Sequence, residues 1–400
     1  MGEVIGVAST GHQQVARTTV YQVEIDPIDP LLFGDNRPAR AGVDHLIRDK
    51  EPSPILIHGA IGTCIFESNG SKWTEEVLGP RLDDILTAPA GKQFAELLGY
   101  CYADPRGGLW FPKPLSFRCL KPCQGWPPFP GDLIVPRGVD KRSELTSCML
   151  PCILDGDPLP GDEDETTMLV SLEVLGRILR GHPGARVPLG NEVLRLTEVF
   201  RRESRAGLGM DNRTGRAEEG ILFTRPYRRF QPAEPDPTLP RLGYGFTAWF
   251  QTREPLQCPI ERVGFLGGDR GRARFEFQAL DGARRPLQEM LDEIVKAVAN
   301  TKGFLAYLLT PMIWEGQWPQ VLTNSPIAAA IGKPLYASGW NTRLGCPRPL
   351  HALIPAGSIF FYEWPNAQPD STIIQSNWLS SVSAKGACAG FGRILVGVWR

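Results

Sequence analysis

The chain has 400 residues, 42% of them hydrophobic and 22% charged, and carries a net charge of −1. That balance fits a globular protein of about two domains with a sizeable core. It excludes a surface wrapped in nucleic acid on every side, and no apolar run is long enough to span a bilayer.

The start, MGEVIGVASTGHQQVARTT, lacks a basic region followed by an apolar one, so no export signal is expected. Val20–Ile25 alternates as a strand does and runs into Asp26-Pro27 and Asp29-Pro30. LLFGDNRPARAG then turns at Gly34-Asp35-Asn36 and presents Arg37 and Arg40 on a loop. Ser53 and Pro54 form a helix start signal for ILIHGAIGTCIFE, in which His58 and Gly59 share a turn near the N-terminal end. Gly59 and Gly62 bring the backbone close to whatever crosses that end, another element or a ligand phosphate. Lys92–Tyr100 is read as a second short helix, and Gly107–Cys119 as strand.

Between about 120 and 167 the composition shifts to proline and acidic residues, which reads as an insertion. It holds two matched pairs, Cys119-x3-Cys123 and Cys148-x3-Cys152, whose spacing suits one structural zinc ion. Buried thiols without metal are the competing reading. Nine cysteines, an odd number, fit a reducing cytoplasm better than a disulfide framework. Met168–Arg180 has helical spacing and stops at Gly181-His182-Pro183-Gly184.

Phe200–Phe230 holds eight arginines, at 201, 202, 205, 213, 216, 225, 228 and 229, against four acidic residues. Asn212-Arg213-Thr214-Gly215 reads as the turn of a hairpin, with Gly215 taking positive φ. Guanidinium groups match phosphate oxygens and stack on bases, so Arg205, Asn212, Arg213 and Arg216 become candidate RNA contacts. A solvated surface hairpin is the plainer alternative. Tyr244–Gln251 reads as a strand and Val263–Phe277 as a second hairpin, with Arg270 in its turn and Arg272 and Arg274 at period two on one face. An amphipathic helix starts at Pro286, and Phe304–Leu309 is a buried strand by composition. Ala352–Glu363 is a strand interrupted at Pro355-Ala356-Gly357.

Gly390-Phe391-Gly392 lacks the following helix that a dinucleotide site needs, because Arg393–Arg400 reads as a strand. Gly390, Gly392 and Arg393 are instead expected to let a backbone lie against a nucleic-acid strand, a tight turn being the alternative. The five histidines are dispersed, and no nucleophile elbow, P-loop or HExxH motif occurs. No catalysis is expected; a metal-independent ribonuclease using His45 or His58 is the enzyme alternative.

Several blocks carry a resemblance. SPILIHGAIGTCI is similar to the first helix of the RAMP proteins of CRISPR systems, and GMDNRTGRAEEGILF resembles their I-D-R-x-T-G-x-A-x-x-G-x-L-F hairpin. LLFGDNRPARAG, FLGGDRGRA, AYLLTPMIWEGQWPQ, IPAGSIFF and GFGRILVGVW resemble, in order, the blocks of the third-subunit family of the type III-B Cmr effector. In the opening block Gly34 stands where that family has arginine, and Asn36 where it has glycine. The resemblance implies an α+β fold of two ferredoxin-like (RRM-like) domains, here at 1–199 and 200–400, with the proline-rich insertion and hairpin extensions. It also implies a non-catalytic role with no required cofactor. The expected partners are the 5′ handle of a guide RNA, target RNA, the large polymerase/cyclase-like subunit and a backbone RAMP subunit, with Arg37, Arg40, His58, Gly59, Arg205, Asn212, Arg213, Arg216, Arg270, Arg272, Arg274, Gly390, Gly392 and Arg393 as the expected RNA contacts. A scaffold without RNA contact is the remaining alternative.

Overall fold

The computed structural model describes residues 19–34, 45–46, 49–68, 95–119, 130–133, 168–181, 187–188, 192–211, 213–233, 238–253, 255–257, 260–280, 286–321, 325–338, 340–341 and 346–400. Strand β1 (Thr19–Pro27) turns Tyr21, Val23 and Ile25 to the core. Short strands β2 (Leu31–Leu32) and β3 (His45–Leu46) precede helix α1 (Pro54–Ser68), which buries Ile57, Ile61, Cys64 and Ile65. Strands β4 (Ala95–Ala103), β5 (Leu109–Pro112) and β6 (Met168–Ser171) lead into α2 (Leu172–Leu179), capped by the Ser171 hydroxyl accepting from the Val174 amide. β7 (Val193–Arg195) and the single turn α3 (Leu196–Val199) feed the long strands β8 (Phe200–Met210) and β9 (Ala217–Phe230). β10 (Gly245–Thr252), β11 (Ile260–Phe265) and β12 (Arg272–Ala279) follow. The last part runs α4 (Pro286–Lys296), β13 (Gly303–Leu308), β14 (Ala328–Ala330), β15 (Ile359–Glu363), α5 (Ser371–Asn377) and β16 (Ile394–Trp399).

An eight-stranded sheet has the order β7-β6-β5-β4-β10-β1-β12-β11, and a four-stranded sheet the order β14-β15-β13-β16. Within the first, β4-β10-β1-β12 repeats the antiparallel arrangement of the second: the earliest strand lies third, between the two latest. This is the ferredoxin-like strand order, used twice. Helix α1 covers one face of the first sheet through Phe246, Phe250, Phe275 and Phe277. The second sheet packs with α2, α4 and α5, and its core continues into Trp249, Cys101 and Phe111 of the first. The two sheets therefore share a hydrophobic interior.

Sheet pairing runs across the expected boundary at residue 199. β1 bonds on both sides to strands from 245–279, so the first ferredoxin-like unit closes only after the hairpin has left and returned. The helix expected over Lys92–Tyr100 is instead β4. Its pairing with β10 along Ala95–Ala103 overrides the helical leaning of Ala, Glu and Leu. Met168–Ser171 likewise forms a strand before the helix begins, while the helix from Pro286 and the hairpin at 260–279 form as expected. No helix among the described residues is long and apolar enough to cross a membrane.

Candidate nucleic-acid interface

β8 and β9 form a ribbon roughly 35 Å long at about 3.4 Å per residue, and the short β2 and β3 pair with β9 along its other edge. Almost all of β8 beyond Phe200 is exposed or half-buried, so the ribbon projects and lacks a core face of its own. Its register pairs Arg201 with Arg229, Glu203 with Tyr227, Arg205 with Arg225 and Gly207 with Phe223. Directly paired residues share a face, as do residues two apart. One face thus alternates four arginines with Phe223, Tyr227 and a single glutamate. The other carries Arg202, Ser204, Ala206 and Leu208 and runs down to buried Phe200, Arg228 and Phe230.

On the first face the guanidinium groups stack on the rings. Arg205 lies 4.5 Å from the Tyr227 centroid and Arg225 4.5 Å from that of Phe223. Gly207 makes room for the second stack, since a Cβ there would sit 2.2 Å from the Phe223 ring. Glu203 accepts from Arg205 (2.7 Å) and Arg229 (2.8 Å), and these bonds hold its carboxyl below the usual range. Both arginines nevertheless remain about half exposed, at 47% and 56%.

The ribbon tip is an ordered turn. Asp211 accepts from the Arg213 amide (2.8 Å) and the Thr214 hydroxyl (2.9 Å), which lowers its pKa, and the Gly215 amide donates to Asp211 O (2.8 Å). Gly215 adopts φ of 66°. Arg213 and Arg216 are exposed there, and no ion pair among the described residues engages either. Asn212, Arg37 and Arg40 lie outside the described residues.

The turn between β11 and β12 docks against the ribbon base. Asp269 accepts from Arg225 (2.5 Å) and from the Tyr227 hydroxyl, and the Gly268 amide donates to Leu32 O (2.8 Å). Arg270 follows in the left-handed region, at φ 55°, and its guanidinium lies 4.9 Å from the Phe265 centroid. Arg272 donates to Asp29 from Nε (2.7 Å) and Nη2 (3.1 Å), which lowers the Asp29 pKa and raises that of Arg272; it stays 56% exposed. Arg205 also contributes to depressing Asp29, placing the ribbon face and this turn in one electrostatic field. Arg205 stacks on Tyr227, whose hydroxyl bonds Asp269 next to Arg270, and Arg272 stands opposite Phe265, so these three arginines, far apart in sequence, line one wall. Arg201, Arg225, Arg229, Phe223, Tyr227 and Phe265 join them; the arginines among these were counted in the hairpin but not named as contacts, and the period-two register of the two strands is the signal that groups the ribbon residues.

Other expected contacts are placed elsewhere. Arg393 is buried, donating to Leu97 O (2.9 Å), Leu379 O (3.0 Å) and Ala387 O (2.8 Å) and pairing with Glu96 at 3.4 Å. It staples the loop before β16 onto β4 and faces no solvent groove. Gly390 and Gly392 are buried too: a Cβ would meet Leu97 at 2.8 Å or Ser383 at 2.6 Å, so these glycines permit internal packing rather than approach of a strand. Arg274 is half-buried between Asp26 (2.7 Å) and Glu261 (3.6 Å). His58 packs 5.6 Å from Phe250 with Nε2 3.4 Å from Ala95 O, and burial pulls its pKa to about 4. It is a half-buried ring packed beside Phe250, and the lowered pKa makes it a weak base. Gly59 is exposed, with open space where a Cβ would stand. The His45 side chain and the four zinc-candidate cysteines, Cys119 by its side chain and Cys123, Cys148 and Cys152 entirely, lie outside the described residues. Among the described residues no group of His, Cys, Asp or Glu is arranged to hold a metal.

A family model described as CRISPR-associated protein (Cas_Cmr3) matches residues 23–399. The chain belongs to this family. It is thus a structural RAMP-type subunit of the type III-B Cmr effector. Among solved structures it is similar to a chain of a type III-B Cmr-beta complex bound to cognate target RNA, at 16% identity and a TM-score of 0.45, over 85% of this chain and 86% of that one. A second Cmr-beta complex, bound to target RNA and AMPPnP, gives 16% identity and 0.43 over 89% and 88%. A chain of the Csm3-Csm4 subcomplex of a type III-A interference complex gives 12% and 0.34 over 86% and 94%. No curated protein sequence matches the chain.

Proposed function

We propose that this Cas_Cmr3 family member is a cytoplasmic, non-catalytic RNA-binding subunit that grips the repeat-derived 5′ handle of the guide RNA. In the assembled effector it docks on the large polymerase/cyclase-like subunit and a backbone RAMP subunit, and serves antiviral defence. The observation that carries this reading is the ribbon face, where the exposed Arg201, Arg205 and Arg229 stand beside the half-buried Arg225 and Phe223 and the buried Tyr227 ring, and continue into Arg270 and Arg272. Single-stranded RNA is held by such interleaved charges and π-surfaces, which contact phosphates and splayed bases. Gripping a fixed strand needs no proton transfer, and the lowered pKa of His58 makes it a weak base.

The test uses the exposed tip cations Arg213 and Arg216. Arg213→Gln with Arg216→Gln should weaken binding to repeat RNA without disturbing the fold. The slope of log K against log salt should become shallower by about 1.4 if two phosphate contacts are lost from a single strand. Affinity and slope both unchanged in a fluorescence titration would favour a scaffold without RNA contact.

A further inference from the structure

Phe265 is an anomaly on the wall. It is a large ring, 47% exposed, at the end of edge strand β11, with Val263 beside it also 53% exposed. Its open side faces away from α1: Gly264 is the residue that turns inward, where a Cβ would come within 2.6 Å of Cys64 Sγ. The polar cover over the ring is the Arg270 guanidinium, 4.9 Å from its centroid. Arg270 is delivered there by two successive left-handed residues, Asp269 and Arg270, both at φ 55°. Such a backbone is unfavourable for a residue with a Cβ, above all for Arg270, and persists where its surroundings impose it. Here Asp269 imposes it by gripping Arg225 and the Tyr227 hydroxyl of the ribbon. The strained turn thus carries a guanidinium from the ribbon base onto an exposed aromatic ring.

We infer that Phe265 and Arg270 form a stacking site for one unpaired nucleobase, at the point where the ribbon face meets the sheet. The inference rests on the RNA-binding reading above and names a specific subsite within it. A planar base fits because it presents a π-face to either the ring or the guanidinium plane, and the cation offsets the charge of the adjoining phosphate. The same solvent face of the sheet limits how far a strand can go. Glu261, four residues back along β11, lies in register with Glu276 and, through it, Glu24. That acidic row repels phosphate, so the strand ends its contact near Phe265 instead of crossing the sheet.

The experiment is abasic scanning of a labelled single-stranded repeat RNA against the full chain. In the wild type, removing one particular base should weaken binding by about 5- to 160-fold, the range for loss of a single base–aromatic stack. Phe265→Ala should weaken the intact RNA comparably, leave the salt slope unchanged, and become indifferent to removal of that same base. Phe265→Trp should restore binding, with its indole fluorescence quenched by the RNA. If Phe265→Ala binds like the wild type while the Arg213/Arg216 variant is weakened, the stacking site is overturned and the RNA-binding reading stands. Failure of Phe265→Trp to restore affinity in a protein of unchanged melting temperature also overturns it. If the wild-type chain binds no RNA at low salt, both fall.

Discussion

At the residue scale, the same side chain serves opposite ends depending on what it meets. Arg213 at the tip has solvent around it, whereas Arg393 is enclosed by three carbonyl oxygens and Glu96. Burial lowers the Arg393 pKa, Glu96 opposes that, and the group stays a structural cation. Removing one member of such a buried pair leaves the other charge uncompensated, at about 3–5 kcal/mol. Arg393→Met should therefore lower the denaturant midpoint by an amount of that order, while RNA affinity per folded molecule stays at the wild-type value. A loss of RNA affinity at unchanged stability would return Arg393 to the interface. Sequence showed an arginine beside two glycines and could not tell these cases apart, because Glu96 and Leu97 come from nearly three hundred residues earlier.

At the scale of the element, the ribbon's direction is set by its buried base. Arg202 and Arg228 are register partners, two cations on one face, and Asp49 sits between them. Its Oδ2 accepts from Arg202 Nε (2.9 Å) and its Oδ1 from Arg228 Nε (2.6 Å). Arg228 is nearly inaccessible and lies 4.3 Å from the Phe200 ring centroid, with Glu51 at 2.9 Å and the Tyr102 hydroxyl at 3.0 Å. Burial disfavours its charge, but Glu51, Tyr102 and Asp49 outweigh that and its pKa is raised. Asp49→Ala should free the base of the ribbon, seen as faster amide exchange across Phe200–Ser204 and Pro226–Phe230. RNA binding should weaken with an unchanged salt slope, since no phosphate contact is removed. A shallower slope would mean that the substitution had disturbed the contacting arginines themselves. The hairpin was legible in the sequence from its turn residues and its arginine density. The clamp was not, because Asp49, Glu51 and Tyr102 reach it from two other segments.

At the scale of the whole molecule, two copies of one strand order share a core, and the placement of charge separates a cationic wall from an acidic row on the sheet. The open face of a ferredoxin-like sheet is where RNA-recognition domains stack bases. The order of the sequence blocks anticipated the fold, but the unit boundary was not legible, since β10 to β12 return to pair beside β1 after the hairpin. Only that return reveals the charge on the sheet. It brings Glu24, Glu276 and Glu261 into a direct cross-strand row, with Gln22 donating to Glu24 (3.4 Å) and Gln278 to Glu276 (3.0 Å). Like charges directly opposite are destabilising, by about 0.2–1 kcal/mol for each pair. Glu276→Lys converts two repulsive pairs into attractive ones, so the melting temperature should rise by a few degrees at most. If the row is what keeps RNA on the ribbon side, the same change should also lengthen the strand's path over the sheet and steepen the salt slope by about 0.7 for one added phosphate contact. A stabilised protein with an unaltered slope would mean that RNA never comes near this face, and that the ribbon and its turn alone define the path.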